Sequence, residues 1–475
     1  MTTDPTSTRR ILALDDDPTG SQCVAGVDIA FQEDPAIPAQ VLQEPGATCF
    51  VLMNTRALSE ADAIAKNRRI LEGVLDAGVN PQGLHLISRS DSTLRGHVLA
   101  EPNVLADVLA ERGVEVDGFL FCPAMIEAGR FTKDDIHYAM VQGEAHEAAD
   151  TDFAKDATFG YTQSNLRRFL EERSDGAVKA DEVVSIGLEN IREGGVDRVE
   201  EILAAVSGRT WVVVNATEYS DMEVVTAALA RREAVGRTFI TRCGPSFVRP
   251  LSGQQGAAVL AAEDIAIDPS RGSHGLVVVG SHVGLTTRQL QAVQRRGTLL
   301  EFELQVPLLL DPQTRDEHLS EVTEALRAQL ASADCVVYTS RDLVRTESKG
   351  ESLEIARKVS DAVVELVARV REARPAWVVA KGGITSHEVA ANGLGISHAV
   401  VQGQFFPGQV SMFTARQAPP ETIGVPYVVF PGNVGGDDAL AEAVERLVEA
   451  TSQKRLYEAT HQKRPDEATH QKRSK

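Results

Sequence analysis

Aromatic side chains are scarce in this sequence: Phe, Trp and Tyr together make up 5% of it. That leaves little for the base-stacking platforms on which single-stranded nucleic acids are held. Positive charge is also short. Lys and Arg number 48 against 68 Asp and Glu, a formal net charge of −20, which disfavours nucleic acid and anionic membrane as partners of the bulk surface. No apolar run approaches the roughly 20 residues that a membrane helix needs. The N-terminus turns acidic at Asp15-Asp16-Asp17, too soon for a secretory signal. The five cysteines (Cys23, Cys49, Cys122, Cys243 and Cys335) are odd in number, scattered and without a CxxC pair. They read as reduced thiols filling the core of a cytoplasmic protein. Neither a G-x-x-x-x-G-K-[ST] phosphate loop nor a G-x-G-x-x-G dinucleotide fingerprint is present.

What is present begins at Ile11–Gln22, ILALDDDPTGSQ. An apolar run enters three adjacent carboxylates, and Pro18-Thr19-Gly20 forces a turn. A buried strand followed by a turn places those carboxylates at the strand's C-terminal end, where open α/β sheets bind ligands. Asp, Pro and Gly are also ordinary turn residues, so this stretch alone reads equally as a solvated acidic turn.

With 475 residues, 43% of them apolar, the chain can build two or three domains around sizeable cores. The first half alternates β-branched runs with helical patterns. Strands are predicted at 11–14, 49–53, 84–88, 119–122, 183–186, 211–215 and 238–241, with helices between them. That alternation means βαβ units and mostly parallel sheets. The polar stretch 126–160 breaks the rhythm and reads as a long functional loop. Pro269, Gly272 and Gly275 mark a linker, after which strands recur at 276–279, 299–302, 335–338, 377–379, 399–401 and 427–430. Ala356, Val359, Val363, Leu366 and Val370 define one buried face of a helix over 353–370. The expected organisation is two α/β domains, 1–265 and 272–450, with ligand sites at strand C-terminal ends and in the cleft between domains. Residues 451–475, with the repeated heptad EATHQKR at 458–464 and 467–473, read as a disordered tail.

Three strand ends in the first domain carry arginines: Arg56 in Asn54-Thr55-Arg56, Arg89 and Arg95 in SRSDSTLRG beside Asp91, and Arg130 after Gly129. Guanidinium forks bind carboxylates and phosphates bidentately, so this recurrence suggests a pocket for a small acid. The second domain instead offers glycine turns after strands: Gly280-Ser281, Lys381-Gly382-Gly383-Ile384-Thr385-Ser386 and Pro431-Gly432-Asn433-Val434-Gly435-Gly436. Such turns let backbone N–H groups approach phosphate oxygens, although tight βα turns want glycine in any case.

Taken together, DDPTG at 16–20, DSTLRG at 91–96, Gly129-Arg130, GGITS at 382–386 and GNVGG at 432–436 resemble the four-carbon acid sugar kinases, in order, over roughly residues 10 to 450. The resemblance implies an N-terminal acid-sugar-binding domain, a C-terminal nucleotide-binding domain, and ATP-dependent phosphorylation of threonate, erythronate or 3-oxo-tetronate with Mg²⁺. It places Asp16, Asp17, Arg56, Asp91 and Arg95 in the acid-sugar site. It places Ser281, Gly382, Gly383, Thr385, Gly432 and Asn433 in the ATP site, and Gly435 lies in the same turn. The chain departs from the family's usual pattern at Pro18, at Arg89 and in PGNVGG, positions that bear on the substrate more than on the reaction.

Asp16 or Asp17 is the expected acceptor of the hydroxyl proton, with crowding beside Asp15 raising one pKa. No metal ligands are assigned. The expected partners are the small acid and ATP, with neither nucleic acid nor membrane, and a homodimer remains open. Two rival readings stand. Asp15-x-Asp17-x-Thr19 resembles the nucleophile loop of haloacid-dehalogenase-like phosphatases, and a two-domain protein could simply bind a small acid without catalysis.

Overall fold

The structure, a computed structural model, describes residues 9–17, 21, 23–254, 256, 259–341 and 349–461. The turn at 18–20 and the second EATHQKR therefore lie outside the described residues. The chain is α/β. Its strands begin with β1 (Arg10–Asp15), β2 (Asp28–Ala30), β3 (Thr48–Leu52), β4 (Leu84–Arg89) and β5 (Gly118–Cys122). Next come β6 (Arg130–Lys133), β7 (Ile136–Val141), β8 (Glu144–Glu147), β9 (Val184–Ile186), β10 (Thr210–Val214) and β11 (Phe239–Cys243). The later strands are β12 (Leu276–Val279), β13 (Leu300–Leu304), β14 (Cys335–Thr339), β15 (Val378–Lys381), β16 (His398–Phe406), β17 (Gln409–Gln417) and β18 (Pro426–Phe430).

Two compact units result. The first contains Met1–Ala258 and His398–Gln409, the second Val259–Ser397 and Val410–Lys475. In the first, the strands run β16-β2-β3-β1-β4-β11-β5-β10-β9. All neighbours are parallel except β16 on β2. The interior strands read as unbroken apolar runs because helices cover both faces, as parallel sheets require. Ile11–Leu14 of β1 is at most 2% exposed. The chain passes from β1 to β2 and β3 on one side, then crosses to β4 on the other. The strand order thus reverses between β1 and β4, which is where open α/β sheets bind ligands. In the second unit the order β13-β14-β12-β15-β18-β17 reverses in the same way between β12 and β15.

The stretch 126–160 is not a structureless loop. It folds into the three-stranded antiparallel sheet β6-β7-β8. Asp134 and Asp135 both take positive φ (54° and 62°) between β6 and β7, and Gln142 and Gly143 do so (53° and 86°) between β7 and β8. Positive φ at both central residues is the two-residue hairpin turn that matches strand twist. In the sequence such polar pairs do not differ from those of an open loop.

The last helix, Ala439–His461, runs on past residue 450 into the stretch expected to be a tail. All five cysteines are unpaired and buried. Among the described residues no helix is long and apolar enough to cross a membrane.

Candidate functional site

In the first unit, register alone brings the acidic and basic strand ends together. Asp15 on β1 lies opposite Arg89 on β4, and their side chains form an ion pair of 2.6 Å. Arg242 on β11 lies opposite Ser88 and donates to its Oγ at 2.6 Å. Asp16 and Asp17 follow at the end of β1. Asp17 donates its backbone N–H to Asp15 Oδ1 at 3.0 Å.

Arg56 is the hub of this edge. Its Nε is 3.2 Å from Asp16, its guanidinium grips Asp17, and it lies 3.8 Å from Asp91. Burial alone would lower its pKa, but the carboxylates of Asp16, Asp17 and Asp91 outweigh that and hold it well up. Asn54, two residues earlier, sits in the left-handed region (φ 49°) to swing Arg56 inward. In DSTLRG, Leu94 is buried at φ 69°. A left-handed leucine costs on the order of 1–3 kcal/mol, and such strain gathers where function fixes geometry. The turn it makes sets Arg95 on Asp91 (Nε to Oδ2, 2.7 Å). Tyr161 locks the same turn, donating its hydroxyl to Thr93 O at 2.8 Å.

The carboxylates differ in environment. Burial raises Asp15 to about 6 and Asp16 to about 7, with Arg89 pulling Asp15 down and Arg56 and Arg242 pulling Asp16 down. Crowding, the cause expected from sequence, is the smaller contributor: Asp17 adds to the rise at Asp15, behind burial. The Asp15 and Asp16 side chains are 0% and 1% exposed, whereas Asp17 is 24% exposed. Burial would also raise Asp91, but Arg56 and Arg95 hold it below the usual carboxylate range.

Arg130 stands apart. It and Arg95 flank the Phe153 ring, at 5.6 and 5.7 Å from its centroid. Arg56, Arg89 and Arg95 each pair with a protein carboxylate, but among the described residues Arg130 has none within ion-pair distance, and its buried Nε has no hydrogen-bond partner. Burial lowers its pKa, with Asp91 opposing.

Two residues of this site escaped the sequence reading. Arg242 and Glu101, 1% and 2% exposed, form a buried ion pair. Glu101 also accepts from Thr55 and Ser88, and Arg242 reaches Asp16 at 3.5 Å. The signal was a charge in an otherwise apolar strand, Phe239–Cys243. Gly96 completes the packing. At φ 107° its missing Cβ would lie 2.8 Å from Asp16 Oδ2 and 3.1 Å from the Arg242 guanidinium. Gly96→Ala is expected to displace Asp16, costing about 1–3 kcal/mol of stability and roughly tenfold or more in kcat/KM. Thermal melts and steady-state kinetics check this, and an alanine variant with native values would show that the contact is slack.

In the second unit the glycine turns converge on Ser281. A Cβ on Gly382, whose φ is 123°, would lie 2.9 Å from Ser281 Cβ and 3.0 Å from Thr385 Oγ1. A Cβ on Gly280 would lie 2.6 Å from Thr385 Oγ1, and one on Gly432 3.2 Å from Ser281 Oγ. Thr286 ties the turns together, donating to Gly432 O at 3.1 Å. Gln289 holds the same loop through Val434 O and Gly436 O at 3.0 and 2.8 Å. Gly383 opens the helix Gly383–Glu388, and Asn433 is exposed on its turn. Gly435, at φ 80°, abuts Ala439 at the start of the last helix. The residues singled out from sequence are thus gathered at the strand ends where the order reverses. The absent Cβ atoms make room for the Ser281 and Thr385 side chains, so the turns close on one another, and a strand-end cluster of backbone N–H groups and hydroxyls suits a polyphosphate.

A family model described as a sugar-binding N-terminal domain matches residues 11–251, and one described as a nucleotide-binding C-terminal domain matches 276–440. The chain is 24% identical over 427 residues to a protein named D-erythronate kinase from Heliobacterium modesticaldum, covering 85% of this chain and 88% of that one. Two solved structures share the fold. One is from Salmonella typhimurium LT2 (TM-score 0.66, 18% identity, covering 91% of this chain and 98% of that one). The other is Haemophilus influenzae protein HI1011 (TM-score 0.63, 17% identity, 92% and 99%).

Proposed function

Because the chain belongs to the four-carbon acid sugar kinase family, we propose that it transfers the γ-phosphoryl group of ATP to a hydroxyl of a four-carbon sugar acid such as erythronate, threonate or 3-oxo-tetronate. The first unit would hold the acid and the second the nucleotide. The observation that supports the acid half most is Arg130, a half-buried guanidinium without a carboxylate of its own, at an edge where the neighbouring arginines are already paired. A substrate carboxylate is the partner it lacks. Arg95 and Arg56, which the resemblance places in the acid-sugar site, would orient Asp91 and Asp17 toward the substrate's hydroxyls.

Phosphoryl transfer through a loose transition state asks for in-line positioning and charge neutralisation more than for a strong base. Asp17 is the carboxylate of the opening triplet that is open enough to touch a hydroxyl, and Arg56 fixes it in place. Asp16, shut between Arg56 and Arg242, would position those arginines. Ser281, Thr385 and the Gly382 and Gly432 turns would bind the nucleotide phosphates. Mg²⁺ would arrive on those phosphates, as it commonly does, since among the described residues no group of three or more His, Cys, Asp or Glu side chains could hold a metal ion. The phosphatase reading needs Asp15 as an accessible nucleophile, yet Asp15 is fully buried on Arg89.

An ADP-release screen over threonates, erythronates and 3-oxo-tetronates tests the proposal. Acid-dependent ADP release with at least one of them supports it, and the absence of release with all of them removes it. Arg130→Gln should raise KM for the accepted acid about 10- to 100-fold, since a hydrogen bond to a charged group contributes about 1.5–3 kcal/mol. Arg95→Lys, which keeps the charge near Asp91, should have the smaller effect. The reverse order would return the carboxylate to Arg95.

A further inference from the structure

Cations in the second unit of this acidic chain are commonly matched to carboxylates: Arg288 with Asp437 at 2.8 Å, Arg315 with Glu365 at 2.6 Å, Arg371 with Glu421 at 2.9 Å. Arg341 and Lys381 are not. Arg341 follows β14 and donates through one terminal nitrogen to Ser281 O at 2.7 Å and Thr287 Oγ1 at 2.8 Å. Its other terminal nitrogen and its Nε are buried and have no hydrogen-bond partner among the described residues. Lys381 ends β15 and is 0% exposed. Its ammonium donates to Pro431 O at 2.5 Å and lies 4.2 Å from the centroid of the Phe430 ring. Among the described residues neither side chain meets a carboxylate, and burial alone lowers both pKa values, that of Lys381 to about 7.

A buried cation without a counter-charge is costly, and a chain with twenty more carboxylates than lysines and arginines had ample means to supply one. Both cations instead grip the turns on which the glycines converge. Arg341 holds the carbonyl of Ser281, and Lys381 holds the carbonyl that precedes Gly432. We propose that the phosphate chain of the bound nucleotide is the counter-charge for Arg341 and Lys381, which together fix the Ser281 and Gly432 turns around it. This assignment rests on the ATP-site reading above. It adds side-chain charge to a site otherwise built from backbone N–H groups and hydroxyls, and charge neutralisation is what a transferring phosphoryl group needs.

The sign of one consequence follows from the lysine. If anion binding favours the ammonium, a Lys381 that is partly neutral near pH 7 in the free protein takes up a proton as nucleotide binds. Affinity should then fall as pH rises above about 7.

Calorimetric titration of the full chain with AMP-PNP, and in parallel with adenosine, tests the proposal. Arg341→Gln and Lys381→Met should each weaken AMP-PNP binding by about tenfold or more, equivalent to about 1.4 kcal/mol, and leave adenosine binding within about twofold. Titrations of the unaltered chain with Mg²⁺-saturated AMP-PNP, whose terminal phosphate is then already ionised, in buffers of different ionisation enthalpy at pH 7.5 should show net proton uptake, a readout that stands even if the Lys381 variant fails to fold. Should the unaltered chain bind AMP-PNP without proton uptake, and the Arg341 variant bind it equally well, the assignment is wrong while the ATP site stands. Should the unaltered chain bind no AMP-PNP, the ATP-site reading itself is overturned, and this inference with it.

Discussion

Replacing Asp17 with asparagine is expected to lower kcat by roughly 10²- to 10⁴-fold while KM for the acid moves only a few-fold, the range a positioned proton acceptor contributes. Three features single out this carboxylate. It follows the central strand β1 at the point where the sheet order reverses, its backbone is tied to Asp15, and Arg56 holds its side chain while leaving it 24% exposed. Asparagine keeps the shape and loses the acceptor. Asp16→Asn should behave differently, because Asp16 acts through Arg56 and Arg242 and is shut away from substrate. Its mark should be on stability. Folding raises Asp16 from the ordinary 3.8 to about 7, so folding favours its protonated form. That contribution is fully present below about pH 4 and is lost as pH rises toward 7. Asparagine cannot ionise, so the decline in melting temperature between pH 4 and 7 should be shallower in Asp16→Asn than in the unaltered chain. Loss of kcat in the Asp16 variant with full kcat in the Asp17 variant would reverse the two roles.

The largest stability effect is expected from Arg242→Met, at about 3–5 kcal/mol, because it strands the buried Glu101 charge. Arg242 and Glu101 are 1% and 2% exposed, and the pair is bound into Ser88, Thr55 and Asp16. Removing both charges, as Arg242→Met with Glu101→Leu, should recover much of that loss, since an apolar pair of similar volume is often neutral. Denaturant unfolding of the two variants checks this. A double variant no more stable than the single would mean that the network, rather than the stranded charge, sets the cost.

The fold was legible where periodicity is strong. The apolar runs at 11–14, 49–53, 84–88 and 119–122 became parallel strands of one sheet, since only a sheet covered on both faces tolerates such runs. The helix over 353–370 likewise followed from its buried face. What failed was short or polar. The hairpins of 126–160 rest on left-handed Asp134, Asp135 and Gln142, whose identities do not distinguish a tight turn from a loop. Strand β2 is only three residues long, and β16 pairs with it from far along the chain. At the site, residue types at strand ends were readable, and the structure brought Asp15–Asp17, Arg56, Arg89, Asp91, Arg95 and Arg130 to one edge. Pairing was not readable. That Arg56, Arg89 and Arg95 are occupied and Arg130 is not depends on register and burial. Arg242 and Arg341 have no place in the sequence reading, and Lys381 enters it only as the first residue of a glycine turn, although Arg242 and Lys381 are charges in apolar strands, ITRC and VVAK, a pattern that stability alone does not favour.

Transfer of the γ-phosphoryl group of ATP to a hydroxyl of a four-carbon sugar acid is open to direct observation. The most direct measurement is ³¹P NMR of the purified chain with ATP, Mg²⁺ and the acid that supports ADP release, D-erythronate among the first tried. A new phosphate-ester resonance should grow in step with ADP, require the acid, and be absent with the Asp17→Asn variant on the same timescale. Inorganic phosphate appearing in place of the ester, or an ester signal that forms without the acid, would contradict such transfer.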